Sequence, residues 1–479
     1  MDFLGPNYLK SHHLSISADS MLQFVLKGRQ QSDTLYPGQS TLHLQDYYAT
    51  NYASIFETVS KAEMGRRDYD SIVVSTCYDT RARDIYRQAV QSNADGEDIA
   101  IVNRINELLL ELDNFHSYFP DKKDAYRELF ELYLSQDVLT EPYVADSLSY
   151  SDLRAKLSDE NQVLVNIFKG SVDYLVYTFD GVQFDQHTIP VGEIDSIGRV
   201  YYDDIINGKG QVKAPLLTEN ILQLTDDSEV VLVPDGVFSK LPTQSIFGDR
   251  VVHSFTNVKA YMDADEIDIS GGRVGLYTYS DERTLGNHEV KIYPELPYSL
   301  VEVQEIENVM SALDINVTSS SSSLDHTGLS LLHLSTHAYS SSSNRLDNFL
   351  LYREGGEVTK AYGFNIYQER ELPEVVVLSA CETGWGMHAY GAGVQTLSRA
   401  FLDNGTKSVI KTLWKVNEQA TAEFMINMYI YWSTGISLHE ALEKVKSDFR
   451  NHDQYSAPFY WAGFVLEGNP DVYLSKRER

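Results

Sequence analysis

The pattern of apolar and polar residues divides the chain into two parts with different periodicities. Before about residue 140, apolar residues recur at helical spacing, for example at Ile101, Ile105, Leu108 and Leu112, which places them on one face of a helix. After about residue 150, short apolar runs alternate with helical stretches. This alternation predicts an α/β fold with a mostly parallel sheet and helices on its faces.

The first apolar runs of the α/β part predict strands and turns. Residues 163–168 and 174–179 are apolar runs separated by a segment that contains Gly170, and this pattern predicts a β-hairpin. The run 230–233 predicts a buried strand that ends in a Pro-Asp-Gly turn signal. We interpret Asp235 as a turn residue rather than a functional acid, because Asp-Gly pairs mark turns.

The later segments continue the alternation of helices and strands. Residues 296–313 predict a helix, and the serine run 319–323 predicts a flexible connector. Ser437 and Glu440 predict a capping box at the start of another helix. The aromatic run 459–466 predicts a final strand.

Two of the short apolar runs end at residues that can carry chemistry. The run 331–336 leads into His337, and the run 373–380 leads into Cys381. Both runs read as buried strands of a parallel sheet, in which the loops beyond the carboxyl ends form the ligand crevice. If these strands are neighbours, both side chains emerge at the same edge. An imidazole beside a thiol can activate it as a nucleophile, so the pattern favours a Cys–His hydrolytic dyad.

Other interpretations of these residues remain open at this point. Cys381 could be buried and inert, as free cysteines commonly are, although it ends a strand and precedes the Gly-rich turn 382–386. His333 lies inside its strand and is predicted to be buried and structural. His388, predicted in the loop after the cysteine, is an alternative base. One cysteine and several histidines do not by themselves fix a pairing.

Composition narrows the classes of function. With a formal net charge of −30, the chain is not a general binder of nucleic acids or anionic membranes, because phosphate contacts need a basic footprint. Only two cysteines are present, Cys77 and Cys381, which argues against a disulfide scaffold or a Cys-rich zinc site and fits the reducing cytoplasm. Neither a signal peptide nor a membrane-spanning run is visible. We expect no metal and no cofactor.

Several segments around His337 and Cys381 resemble the CHAT domain, a bacterial relative of caspases and separases in the caspase-like cysteine peptidase clan. The order and the spacing of the segments agree with that family, and weaker matches extend the resemblance to about 150–470. The matching segments are LSTHA at 334–338, VLSACETG at 377–384, GAG at 391–393, AFL at 400–402, VIKTLWKV at 409–416 and WAGFVLEG at 461–468.

The resemblance implies a caspase-like α/β fold that is duplicated as a degenerate half and a catalytic half. It divides the chain into a helical N-terminal region at 1–145, which is a degenerate repeat or a regulatory arm, a degenerate half at 146–328 and a catalytic half at 329–479. Relatives often carry tetratricopeptide repeats upstream, and no convincing repeat is visible here.

The resemblance also implies roles for individual residues. His337 is the general base, Cys381 is the nucleophile, and the backbone amides of Cys381 and Ala338 form an oxyanion hole. Asp347, in the loop after the histidine strand, is a candidate to bind a basic P1 side chain, and a solvated loop aspartate is the alternative. Glu382 matches the family motif and is a candidate for substrate contact, with an orienting or structural role as the alternative.

The function implied by the resemblance is that of a cytoplasmic cysteine endopeptidase that cleaves a specific protein. Relatives of this type act in bacterial defence and cell-death systems, so we expect an activating protein or signalling partner. We expect no direct contact with nucleic acid and none with a membrane. Two alternatives are a non-catalytic protein-interaction scaffold with the same fold and a Cys-dependent acyl transferase or amidase.

Overall fold

The structure is a computed structural model of the 479-residue chain. The predicted helical region 1–145 lies outside the residues that it describes, and so stays a prediction. The described residues are 150–170, 172–208, 217, 222, 224, 228–279, 283–284, 292–293, 296–321, 326–341, 348–354, 357–366, 371–380, 383–384, 386–389 and 393–474. Within these ranges, no helix has the length and apolar character needed to cross a bilayer.

The described chain forms two compact units. One contains residues 150–194, 257–259 and the described part of 388–394, and the other contains the remaining described residues. These units reflect packing, and the domain boundaries proposed above stay predictions.

The smaller unit is built on an antiparallel three-stranded arrangement. Helix α1 (Tyr150–Asp159) precedes β1 (Gln162–Lys169), β2 (Asp173–Phe179) and β3 (Phe184–Pro190), and each strand pairs with the next in antiparallel fashion. The predicted hairpin is therefore confirmed as β1 and β2. Strand β3 was not predicted, because Ile189 is its one buried residue and it therefore shows no apolar alternation.

The remaining helices and strands alternate along the chain. The remaining helices are α2 (Val191–Ile206), α3 (Thr243–Phe247), α4 (Val258–Met262), α5 (Pro297–Ala312), α6 (Gly363–Ile366), α7 (Leu397–Asp403), α8 (Glu418–Trp432) and α9 (Leu438–Arg450). The remaining strands are β4 (Glu229–Val233), β5 (Val252–Ser254), β6 (Ile267–Asp268), β7 (Arg273–Thr278), β8 (Arg283–Thr284), β9 (Ile292–Tyr293), β10 (Asn316–Ser320), β11 (Leu331–Ser335), β12 (Ala338–Tyr339), β13 (Phe349–Glu354), β14 (Glu357–Tyr362), β15 (Val375–Ser379), β16 (Gly386–Ala389), β17 (Gly393–Thr396), β18 (Ser408–Thr412), β19 (Phe464–Gly468) and β20 (Val472–Tyr473).

The larger unit contains a mostly parallel sheet, as predicted. Its strands follow the order β10-β7-β11-β15-β18-β19-β5-β4. Neighbouring strands are parallel except for β18 and β19, which are antiparallel. Every residue of β11, β15 and β18 is buried, because helices and loops cover both faces of a parallel sheet. The α/β fold class is confirmed, whereas the duplication into two halves stays a prediction.

Two sequence interpretations of strands in this sheet were wrong. Ser319 and Ser320 belong to β10, where they pair with Leu276 and Tyr277 of β7, so this part of the serine run is no connector. Backbone hydrogen bonds hold these residues in a strand, and composition does not reveal such pairing. The predicted final strand starts later than expected, because residues 458–460 form a 3₁₀ turn before β19 begins.

Helix α9 begins with the predicted capping box. The Glu440 backbone N–H donates to Ser437 Oγ at 3.2 Å, and the Ser437 N–H donates to the Glu440 carboxylate at 2.8 Å. These two bonds satisfy backbone donors that a helix start leaves without an intrahelical partner.

Helix α9 also carries a histidine that makes stability depend on pH. The pKa of His439 is lowered from 6.5 to about 4, mainly by burial and next by the neighbouring His253, whose ring centroid is 4.7 Å away. Lys446 acts in the same direction, whereas Glu443 and Glu229 oppose it. The unfolded chain therefore takes up a proton here near pH 6.5, which the folded chain does only near pH 4.

We expect this histidine to lower the free energy of unfolding by about 2 kcal/mol between pH 7 and pH 5. Stability is lost as the pH falls, because the unfolded state binds more protons across this window. Urea unfolding at both pH values, with His439→Gln as the control, measures the effect. An identical pH dependence in the two proteins would contradict the prediction.

Candidate active site

Three neighbouring parallel strands end side by side at one edge of the larger unit's sheet. Ser335, the last residue of β11, is the register partner of Thr278 in β7 and of Ser379 in β15. The chain therefore leaves the three strands at the same level, with Tyr279 following β7 and Ala380 following β15. The strand neighbourhood on which the Cys–His hypothesis depends is present.

His337 lies just beyond the end of β11 and is partly exposed. Its carbonyl oxygen accepts from the N–H of Leu351 at 2.9 Å, and the hydroxyl of Thr336 donates to the carbonyl of Leu351 at 2.7 Å. The ring of Tyr279, which is 1% exposed, stands edge-to-face against the imidazole with centroids 5.4 Å apart. Strand β13 thus fixes the backbone at His337, and Tyr279 limits the positions of its ring.

Three of the predicted site residues lie outside the described residues. These are Cys381, Glu382 and Asp347, and their roles stay predictions. Ala338, the predicted oxyanion donor, is described: it opens β12 and pairs with Leu350 in antiparallel register. Its proposed catalytic role likewise stays a prediction.

The residues on both sides of 381–382 are bonded to one buried threonine at the end of β18. The hydroxyl of Thr412 donates to the carbonyl oxygen of Ala380 at 2.7 Å. Its backbone N–H donates to Oγ1 of Thr383 at 3.1 Å, and its carbonyl oxygen accepts from the N–H of Gly384 at 2.9 Å. Thr412 is 2% exposed and Thr383 is fully buried, so water does not compete with these bonds.

A buried polar network holds the end of β11 in place. Nε2 of His333 lies 2.8 Å from the carboxylate of Glu302, and Nδ1 lies 3.2 Å from the hydroxyl of Tyr429. Ser335 donates to the second carboxylate oxygen of Glu302 at 3.1 Å, and Ser299 donates to the Ser335 carbonyl at 3.0 Å. The prediction that His333 is buried and structural is confirmed.

The tyrosine of this network keeps its proton. Burial raises the pKa of Tyr429 well above its usual value of 10, and the nearby charge of Glu302 raises it further. The hydroxyl therefore remains a donor that can bond to a ring nitrogen of His333. The network joins α5 and α8 to the strand that precedes His337.

Two other residues that the sequence singled out have different surroundings. Asp235 is fully buried and its carboxylate accepts from the N–H of Gly236 at 2.7 Å, so the prediction of a turn residue is confirmed. His388 lies in β16 and is partly buried, so its predicted place in a loop was wrong. Strand β16 forms a two-stranded sheet with β17, and this pairing leaves no apolar pattern in the sequence.

Sequence reasoning missed three residues that contact or support this edge of the sheet. Tyr279 could have been found as the residue that follows a third parallel strand. Glu302 lies in a segment that was correctly predicted as a helix, and Thr412 lies in the family-like segment 409–416. Nothing in their residue types or spacing indicates that they bond to residues about 30 positions away.

Comparison of the sequence with known protein families gives one decisive match. A sequence model of the CHAT domain matches residues 212–469, which is more than half of the 479 residues. The chain belongs to the CHAT domain family. The resemblance noted in the sequence is therefore confirmed, and the match includes His337, Cys381 and Thr412.

The curated relatives of this CHAT protein match over a short stretch. Tetratricopeptide repeat protein 28 of Homo sapiens is 30% identical over 105 residues, which is 22% of this chain and 4% of that protein. The Mus musculus protein of the same name is 31% identical over 102 residues, or 21% of this chain and 4% of that protein. The matched stretch is thus a small part of these much longer relatives.

Two solved structures align with the CHAT protein at low identity. The separase–securin complex of Saccharomyces cerevisiae aligns with a TM-score of 0.49 and 8% identity, over 95% of this chain and 37% of that chain. The Arg-specific cysteine proteinase gingipain R aligns with a TM-score of 0.36 and 11% identity, over 58% of this chain and 68% of that chain. The family assignment rests on the sequence match over 212–469 and not on these alignments.

Proposed function

We propose that this CHAT protein is a cysteine endopeptidase in which His337 activates Cys381. The observation that carries the proposal is the parallel pairing of β11 with β15, with Ser335 opposite Ser379. Each proposed reacting residue follows its paired serine by two positions in the sequence. The same two residues occupy the matching positions of the family motifs.

Chain geometry supports a contact between the two side chains. Neighbouring strands are about 4.8 Å apart and successive Cα atoms about 3.8 Å apart. Two side chains that leave paired strands at the same level are therefore within reach of a hydrogen bond. An imidazole at that distance can take the thiol proton and leave a thiolate.

The proposed reaction has two steps. The Cys381 thiolate attacks the carbonyl carbon of the scissile peptide bond, and the imidazolium of His337 gives its proton to the leaving amine. A water molecule then attacks the thioester while His337 takes a proton from that water, the C–S bond breaks so that the Cys381 thiolate is regenerated, and the carboxylic acid product leaves. The backbone amides of Ala338 and Cys381 are proposed to bind the oxyanion that forms in both steps.

The substrate side of the site is proposed from Asp347 and Glu382. We propose that Asp347 binds a basic P1 side chain and that Glu382 contacts the substrate. The residues on the two sides of 342–347 are bonded to each other, because the N–H of Ser341 donates to the side-chain oxygen of Asn348 at 2.7 Å. Strand β12, which precedes Ser341, starts one residue after His337.

The biological setting is proposed from family membership. We propose that the substrate is a specific protein, that an activating protein or signalling partner controls cleavage, and that the protein acts in the cytoplasm in bacterial defence or cell death. Profiling of new protein N-termini in cells that express the wild type or Cys381→Ala tests the substrate. Full activity of the isolated protein toward its substrate would contradict control by a partner.

A peptide-based electrophilic probe tests the dyad directly. The probe is added to a lysate of the native cells, so that any activating partner is present, and the modified residue is located by mass spectrometry. We expect labelling at Cys381 in the wild type and little labelling at this residue in His337→Ala. If Cys381 stays unmodified in the wild type, the protein is a non-catalytic scaffold with the same fold.

A further inference from the structure

Thr412 uses all of its polar groups on residues that flank the proposed nucleophile. Its hydroxyl, N–H and carbonyl bond to Ala380, Thr383 and Gly384 respectively. We propose that Thr412 is a positioning residue of the peptidase reaction, which fixes both ends of the short segment that carries Cys381. This inference rests on the proposed function.

The hydroxyl of Thr412 replaces a backbone ladder that stops early. The parallel pairing of β15 with β18 ends at Val377 and Ile410, before either strand reaches its last residue. Beyond that point, the contact between the two strands is made by the side chain of Thr412 on the carbonyl of Ala380. This side-chain bond holds Ala380, the residue directly before Cys381, to the end of β18.

The threonine is itself held in the core. In β18 it pairs with Phe464 of β19, and Phe464 stacks on Phe424 of α8 with ring centroids 3.9 Å apart. Both phenylalanines are fully buried. A positioning residue on a rigid strand holds its neighbours more accurately than one on a loop.

Gly384 gives an independent indication that the approach to Thr412 is close. A Cβ atom at this position would lie 3.0 Å from the carbonyl oxygen of Thr412 and 3.1 Å from Cδ2 of Leu413. Glycine therefore permits the N–H of residue 384 to reach this carbonyl oxygen. The close approach fixes the far end of the segment in the same way that the hydroxyl fixes its near end.

Thr412→Val and Thr412→Ser separate positioning from packing. Valine keeps the shape and both backbone bonds but removes the hydroxyl, whereas serine keeps the hydroxyl. We expect Thr412→Val to lower kcat by about 10- to 100-fold with KM changed less than about twofold, because a small misplacement of a reacting group costs rate rather than binding. We expect Thr412→Ser to stay within about threefold of the wild type.

The experiment measures the alkylation of Cys381 by iodoacetamide against pH in the full chain, in a lysate of the native cells so that any activating partner is present, with glutathione as the reference thiol and peptide mapping as the readout. The kcat and KM for a cleaved peptide are measured in parallel. The inference is supported if the pKa of the Cys381 thiol lies below that of glutathione in the wild type and in Thr412→Ser. Thr412→Val should raise this pKa and slow the alkylation.

The other outcomes distinguish the two proposals. If Thr412→Val is folded and alkylates and cleaves like the wild type, the positioning role is wrong and the proposed function stands. If Cys381 of the wild type is no more reactive than glutathione, the proposed function fails and the positioning role fails with it. If Thr412→Val does not fold, Gly384→Ala replaces it, because this change strains the other end of the same segment. We expect the same slowing of alkylation and cleavage. A folded Gly384→Ala that alkylates and cleaves like the wild type would contradict the positioning role.

Discussion

Replacing His337 with alanine is expected to lower the rate of peptide-bond hydrolysis by about 10²- to 10⁴-fold, which is the usual contribution of a general base. The thiol of Cys381 would remain, but it would lack the base that is proposed to take its proton. His337 is partly exposed, and its ring stands edge-to-face against Tyr279. Its loss should therefore leave the fold intact, and the melting temperature provides the check.

The same measurement separates His337 from the alternative base. His388 lies in β16, and His388→Ala is expected to retain kcat/KM within about threefold of the wild type, as is usual for a side chain outside the chemistry. A loss in His388→Ala together with near-normal activity in His337→Ala would assign the base to His388 and end the proposed pairing.

Replacing Glu302 with alanine is expected to reduce the free energy of unfolding by about 2–6 kcal/mol, because each buried group that loses its hydrogen-bond partner costs about 1–3 kcal/mol. The carboxylate is 2% exposed and accepts from both His333 and Ser335. Its removal leaves these two buried groups without an acceptor, and their lost hydration is not replaced.

Glu305 provides the matched control on the same helix. It is exposed and receives one long bond of 3.4 Å from Asn308, so Glu305→Ala should change stability by less than about 0.5 kcal/mol. Denaturant unfolding of both variants makes the comparison. Equal losses would show that the buried network contributes no more than an ordinary surface position.

The parts of the fold that could be predicted from sequence are those with continuous apolar runs. Strands β11 and β15 are buried at every position, and their runs of leucine and valine carry that information directly. Strand β10 could not be predicted, because its pairing with β7 uses the backbone of serine and threonine residues. Strand β3 could not be predicted either, because a single buried residue leaves no apolar pattern.

The candidate site was predictable only where a local sequence pattern indicates it, and not where it depends on contacts between distant residues. His337 could be singled out because it follows a buried strand and can act as a base. Tyr279, Thr412 and Glu302 could not, because their importance comes from contacts with residues that are distant in sequence. Such contacts depend on the order of the strands in the sheet, which the local periodicity of apolar residues does not predict.

The position of β19 has a consequence for how the protein matures on the ribosome. This strand lies between β18 and β5 in the sheet, and it pairs Phe464 with Thr412. Domains fold as the chain emerges from its N-terminal side, so a nascent polypeptide lacks the central strand of its own sheet until translation has passed residue 468. A half-synthesised chain therefore cannot complete this sheet, and we expect it to lack the proposed peptidase activity.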